Sequence, residues 1–389
     1  MHTNTKELFL GIVRAGLWEH LDSSFKFQDS NSETCNVNRR STTEGNVKPE
    51  PLDIAIDWGN VYQLASEQAV LGLVLAGIES LPNDQKPPKL ELLQWIGEVQ
   101  MLEQQNKKMN SFIAELVMKM RRADIYTLLV KGQGVAQCYE RPLWRSCGDV
   151  DFLLSDSNYE RAKEFLTLFA EHVDLEDSSR KHLGMTIGDW IVELHGTMHT
   201  LYLRRVNKGI DDVQDDLFLG GNVRSWNNNG TMVFLPSPDN DVILVFTHIL
   251  EHFFIEGVGL KQVCDWCRLL WTNRDSLNYG LLEKRIRKMG LMTEWKAFAS
   301  MAVDVLGMPE KAMPMYDSRF SKRGQRVLTR ILKSGNMGHN NDLSYRTKYS
   351  GLTYKLVALW RRVKDFASFT KMFPIDAPRF FVYYVMRKV

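Results

Sequence analysis

The chain has 389 residues, 44% of them hydrophobic and 25% charged, with a formal net charge of +2. That composition is ordinary for globular proteins, and the length exceeds what one core usually fills, so two or three folded units are expected. The small net charge excludes a molecule-wide field for nucleic acid or membrane, and no run reaches the roughly 20 apolar residues of a spanning helix.

The start, "MHTNTKELFLGIVRAG", lacks the pattern of an export signal. The five cysteines are irregularly spaced, which suits reduced thiols and a cytoplasmic protein. Residues 6–21 and 57–81 repeat apolar side chains at three- and four-residue intervals and are expected to be helices. Between them, a stretch rich in Ser, Thr, Asn and charge, about 25–52, has little to bury and reads as a mobile loop. A third long helix is expected over 89–122.

The character changes after residue 122. "IYTLLVKG" and "DVDFLL" are short apolar runs that read as strands, joined through a short helix, "QGVAQCYE". Residues 157–170 suit a helix. "HLGMTI" and "WIVELH" flank Gly188-Asp189, a pair fit for a two-residue hairpin turn with Gly at its first central position. "TMVFLP", 231–236, suggests an edge strand, and helical periodicity then runs from about 237 onward. The expected class is α+β: an N-terminal helical region (1–122), a small mixed-sheet α/β core (123–236) and a C-terminal helical domain (237–389).

Chemistry concentrates in the middle. Asp149 and Asp151 alternate along one strand, so both side chains leave the same face about 6.5–7 Å apart. Two such carboxylates repel, and a divalent cation, Mg²⁺ or Mn²⁺, together with substrate phosphate, is their natural complement. Glu193, set among apolar residues of a strand that can pair with the first, supplies a third acid, as two-metal phosphoryl or nucleotidyl transfer requires. Upstream, Lys131 and Gly132 form a strand-to-helix turn. With Gly134 and either Arg141 or Arg145, this turn suits a triphosphate. A DxD or a Lys-Gly alone is a weak signal; the order turn, helix, DxD strand, hairpin and Glu gives the reading its weight.

The stretches "KG…Y…P..R..GDVDFLL", "HILEHF…GVGLKQVCDW" and "IDWGNVYQLASEQAV" resemble the bacterial uncharacterised nucleotidyltransferase family, a branch of the polymerase β-like nucleotidyltransferase superfamily, over about 54–270. The resemblance implies a small mixed-sheet catalytic domain with Asp149 and Asp151 as metal ligands and Glu193 as the third acid. The wider superfamily usually carries Gly-Ser where Lys131-Gly132 stands. The matching helix holds His248 and His252 four residues apart on one face. With Lys261 and Asp265 they become candidates for closing a nucleotide or acceptor pocket. "HILEH" lacks the Glu placement of a zinc-protease motif. Cys264 and Cys267 read as core residues of a helix.

The expected activity is transfer of a nucleoside monophosphate from an NTP to an unidentified acceptor, with pyrophosphate as the other product. Two alternatives stand beside it: a catalytically silent nucleotide-binding or scaffold protein, and a toxin-type nucleotidyltransferase acting on RNA or protein. Residues 346–388 carry ten Lys or Arg against two acids. Contact of this segment with a membrane surface or nucleic acid is the less favoured reading, after an amphipathic helix that packs its aromatics. Asp151→Asn is expected to relieve repulsion and leave the fold intact.

Overall fold

A computed structural model describes residues 3–19, 56–341, 348 and 351–388; the loop expected at about 25–52 lies outside the described residues. The N-terminal segment is helical, as its periodicity predicts: α1 (Thr3–Leu17), α2 (Trp58–Glu67), α3 (Leu71–Glu79) and α4 (Lys89–Arg122). The helix expected over 57–81 is broken. Ala69 takes φ +54°, a left-handed conformation no helix interior holds, and splits it into α2 and α3.

The central sheet contains β1 (Leu128–Val130), β2 (Asp149–Leu153), β3 (His172–Val173), β4 (His182–Ile187) and β5 (Trp190–His195), in the spatial order β1-β2-β5-β4-β3. It is mixed: β2 and β5 run parallel, whereas the other neighbours are antiparallel. A parallel pair needs a crossover, and α6 (Asp156–Thr167) with β3 and β4 provides it. The β4–β5 turn is the expected two-residue hairpin: Ile187 pairs with Trp190, and Gly188 sits at φ +57°. Residues 231–236 form β7 (Thr231–Pro236), which pairs only with β6 (Val223–Asn228) as a separate hairpin packed on β1 and α4. It is therefore no edge strand of the main sheet.

Strand alternation assigns the faces. Leu129, Val150, Phe152, Val192 and Leu194 join Ile113, Val117 and Met120 of α4 and Leu166 of α6 in one buried cluster. Leu128, Val130 and Leu153 turn the other way, into a larger cluster shared with α1–α3 and with the helices that follow. These are α7 (Arg204–Phe218), α8 (Pro238–Ile255), α9 (Leu260–Thr272), α10 (Tyr279–Met289), α11 (Met292–Asp304) and α12 (Ser321–Ser334). Helices Gly351–Met372 and Asp376–Lys388 close the chain, with Phe369, Phe373 and Phe380 against Phe253 and Phe254. The fold is thus α+β, with a five-stranded mixed sheet between helical flanks. No described helix is long and apolar enough to cross a membrane.

Candidate active site

The sheet face that carries Asp149 and Asp151 opens into a cavity of about 680 Å³ roofed by α8 and α9. A larger groove, about 990 Å³, runs along α4 beside Asp189 and Trp190, on the opposite face and away from the acids.

Parallel register sets the geometry. Asp151 lies across from Glu193, and Asp149 across from Ile191. Donor oxygens of Asp149, Asp151 and Glu193 all fall within 4.8 Å of one another. Three hard oxygen donors that close match what Mg²⁺ or Mn²⁺ prefers. The electrostatics agree: the Asp149 carboxyl is pushed above its ordinary range, first by the charge of Asp151 and then by burial, with Lys131 only partly compensating. The group is short of positive charge.

Lys131 supplies part of it. Its ammonium lies 2.7 Å from Asp151 Oδ1. Burial works against the charge, but Asp151, Glu193 and Asp149 outweigh it and raise the lysine's pKa. The backbone here is unusual: Lys131 adopts φ +55°, ψ −145° between β1 and α5 (Gly132–Ala136), and Gly132 follows at φ +37°. The first conformation is a region nearly reserved for glycine, at a cost of roughly 1–3 kcal/mol. A Cβ on Gly132 would approach Cys147 Sγ to 3.2 Å, and one on Gly134 would approach Leu235 to 3.0 Å. Both glycines are thus held by close packing.

Two histidines complete the floor. His195 follows Glu193 by two residues and shares its face; its Nε2 lies 2.8 Å from Asp151 Oδ1 and 3.4 Å from Glu193 Oε2. His182, its register partner on β4, stacks on it and places Nε2 3.2 Å from the same Glu193 oxygen. Burial opposes ionisation of Glu193, yet bonds from His182 and His195 and the charge of Lys131 hold its carboxyl well below the usual range. For His195, burial disfavours the cation, but Asp151 and Glu193 prevail and raise its pKa. Neither histidine stood out in the sequence, although Glu193-x-His195 alternation and the hairpin register would have placed both.

Other expected residues separate by role. Arg145 is bound bidentately to Asp265, Nε to Oδ1 at 2.9 Å and a terminal nitrogen to Oδ2 at 2.7 Å, with the Tyr139 hydroxyl donating to Oδ1 at 2.7 Å. Both line the cavity, but their charges are spent on each other. Arg141 is drawn to Glu19 and Glu79. Lys261 also faces the cavity, and its ammonium has no hydrogen bond or ion pair among the described residues. Burial, then the nearby Arg145 charge, lowers its pKa. His248 and His252 line the cavity as an edge-to-face pair 4.3 Å apart. His252 reaches Glu256 at 3.1 Å, and burial followed by the Lys131 charge pushes His248 well down. Cys264 and Cys267 are fully buried in α9.

Asp151 needs one correction. It is 2% exposed and accepts from both Lys131 and His195, so Asp151→Asn removes attraction as well as repulsion. Loss of one partner of a buried ionic group typically costs about 3–5 kcal/mol.

A mixed sheet presents three clustered carboxylates to a cavity that Lys131 and Lys261 also line. Residues 55–307 match the family model described as uncharacterised nucleotidyltransferase, and the chain belongs to that family. No curated protein and no solved structure matches it.

Proposed function

We propose that the protein is a metal-dependent nucleotidyltransferase that moves a nucleoside monophosphate from an NTP to an acceptor, with pyrophosphate leaving. The observation that carries this reading is the Asp151–Glu193 register beside Asp149, which clusters three carboxylates on the wall of a cavity also lined by Lys261, a lysine without a hydrogen bond or ion pair among the described residues.

Asp149, Asp151 and Glu193 would hold Mg²⁺ or Mn²⁺, which when bound neutralises phosphate charge and polarises the reacting phosphoryl group. Lys261 offers the triphosphate an ammonium that Asp265 and Asp149 only partly offset against desolvation and the Arg145 charge. Lys131, hinged at the β1–α5 turn, fixes Asp151 and contributes charge at the same edge. Glu193, held below the usual carboxylate range by its two histidines, is suited to keeping its charge and poorly suited to taking the acceptor's proton. Arg145 acts through Asp265 as a strut between the β2 approach and α9 rather than as a phosphate clamp. The acceptor would enter along the α8 wall, past His248, Glu251 and His252.

The test is pyrophosphate release and label transfer from each α-labelled NTP, with Mg²⁺ or Mn²⁺, to sugar phosphates, small hydroxylated metabolites, RNA and protein. Transfer that needs metal and disappears in Asp149→Asn supports the reading. Transfer unchanged in that variant would refute it.

A further inference from the structure

Glu193 belongs to two clusters. One of its neighbours is the acidic pair of β2; the other is formed by His182 and His195, whose Nε2 atoms both converge on Glu193 Oε2, and these three donors also lie within 4.8 Å of one another. We propose that His182, Glu193 and His195 form a second metal site, selective for a Zn²⁺-class transition cation and bridged through Glu193 to the acidic site.

The spacing supports it. Donors bonded at 2.0–2.1 Å around a tetrahedral Zn²⁺ are separated by about 3.3 Å, and the two His–Glu separations are 3.2 and 3.4 Å. Donor chemistry differs between the clusters. Three carboxylate oxygens favour a hard ion, whereas two imidazoles with one carboxylate favour a borderline one. The backbone fixes the imidazoles. The two-residue turn at Gly188-Asp189 pairs His182 with His195 across the hairpin, and alternation sets His195 on the face of Glu193. Stacking of the rings, centroids 4.7 Å apart, aligns their nitrogens toward one side. The same His195 Nε2 lies 2.8 Å from Asp151 Oδ1, a contact that a bound cation would replace. His182 is partly exposed, with 30% of its side chain open, so the site faces the cavity and leaves a position for water or substrate.

The inference rests on the histidine geometry and on the Glu193 shared with the proposed transfer centre, and the two can fail separately. Apo protein is titrated with Co²⁺ in the presence of excess Mg²⁺, following visible d–d absorption, for wild type, His182→Gln and Asp149→Asn. Mn²⁺ binding is followed in parallel by electron paramagnetic resonance. The expected result is one equivalent of Co²⁺ with a visible band in wild type, retained in Asp149→Asn and lost in His182→Gln, while Mn²⁺ binding shows the reverse dependence. His182→Gln keeps a partly exposed polar side chain, and circular dichroism of the variant confirms its fold. A wild type without the band, or a band unchanged in His182→Gln, would overturn the second site and leave His182 and His195 as hydrogen-bond partners of Glu193. Mn²⁺ binding unaffected by Asp149→Asn would instead count against the acidic site.

Discussion

Asp151 and Glu193 stand opposite each other on adjacent parallel strands, and each is held by its own basic partners: Lys131 and His195 for Asp151, His182 and His195 for Glu193. His195 therefore joins the two acids. Separating their contributions requires variants that remove charge without removing these supports.

Asp149 allows that separation. No hydrogen bond ties its carboxylate to another side chain among the described residues, and its neighbour Asp151 repels it. Asp149→Asn is expected to keep wild-type stability or gain up to about 1 kcal/mol, while metal-dependent transfer falls about 100-fold or more. Asp151→Asn should lose activity to a similar degree and also about 3 kcal/mol of stability. Urea denaturation of the pair checks the contrast.

Lys261 should show a stability–function trade-off. Its ammonium makes no hydrogen bond or ion pair among the described residues, and desolvation with the Arg145 charge outweighs the favourable charges of Asp265 and Asp149, so Lys261→Met is expected to stabilise the fold by about 1 kcal/mol. Nucleotide affinity should fall by roughly 10- to 100-fold, the worth of a charge-assisted hydrogen bond. Thermal melting and nucleotide titration of the same preparation measure both.

Strain at Lys131 predicts an ordering of variants. Lys131→Ala and Lys131→Gly both remove the pair with Asp151, but only glycine is at ease at φ +55°, ψ −145°. The Gly variant should be the more stable by about 1–2 kcal/mol. Equal stabilities would show that the turn relaxes.

A pH effect should come from far outside the cavity. Glu294 of α11 is 1% exposed, and burial, then the charge of Asp376, push its carboxyl up to about 8. The folded state thus binds a proton that the unfolded chain releases near the ordinary carboxylate value. Its contribution is fully present at acidic pH, declines as pH rises toward about 8, and levels beyond. The expected loss is roughly 2–5 kcal/mol, abolished in Glu294→Gln; chemical denaturation across that range reads it.

Local patterning carried much of this. Alternation in "DVDFLL" and "WIVELH" puts the acids on one face each, and α4 spans the expected Lys89–Arg122. What pattern does not contain is the choice of partner. The parallel pairing of β2 with β5 depends on a crossover that buries both apolar faces against α4 and α6. Arg145 and Asp265 meet across 120 residues, so a residue read as a phosphate ligand is occupied by an acid from α9. The break at Ala69 carries no Gly or Pro to announce it. β6 escaped notice because its inward face sets Arg224 and Asn228 beside Trp226, so no apolar alternation marks it.

The most direct measurement is calorimetric binding of each NTP, with and without Mg²⁺ or Mn²⁺, to wild type and Asp149→Asn. Metal-dependent binding to wild type, with one base preferred, is expected, and it is lost in Asp149→Asn while the fold persists. Binding that is independent of metal, or that is equally strong in the variant, would contradict the proposed function.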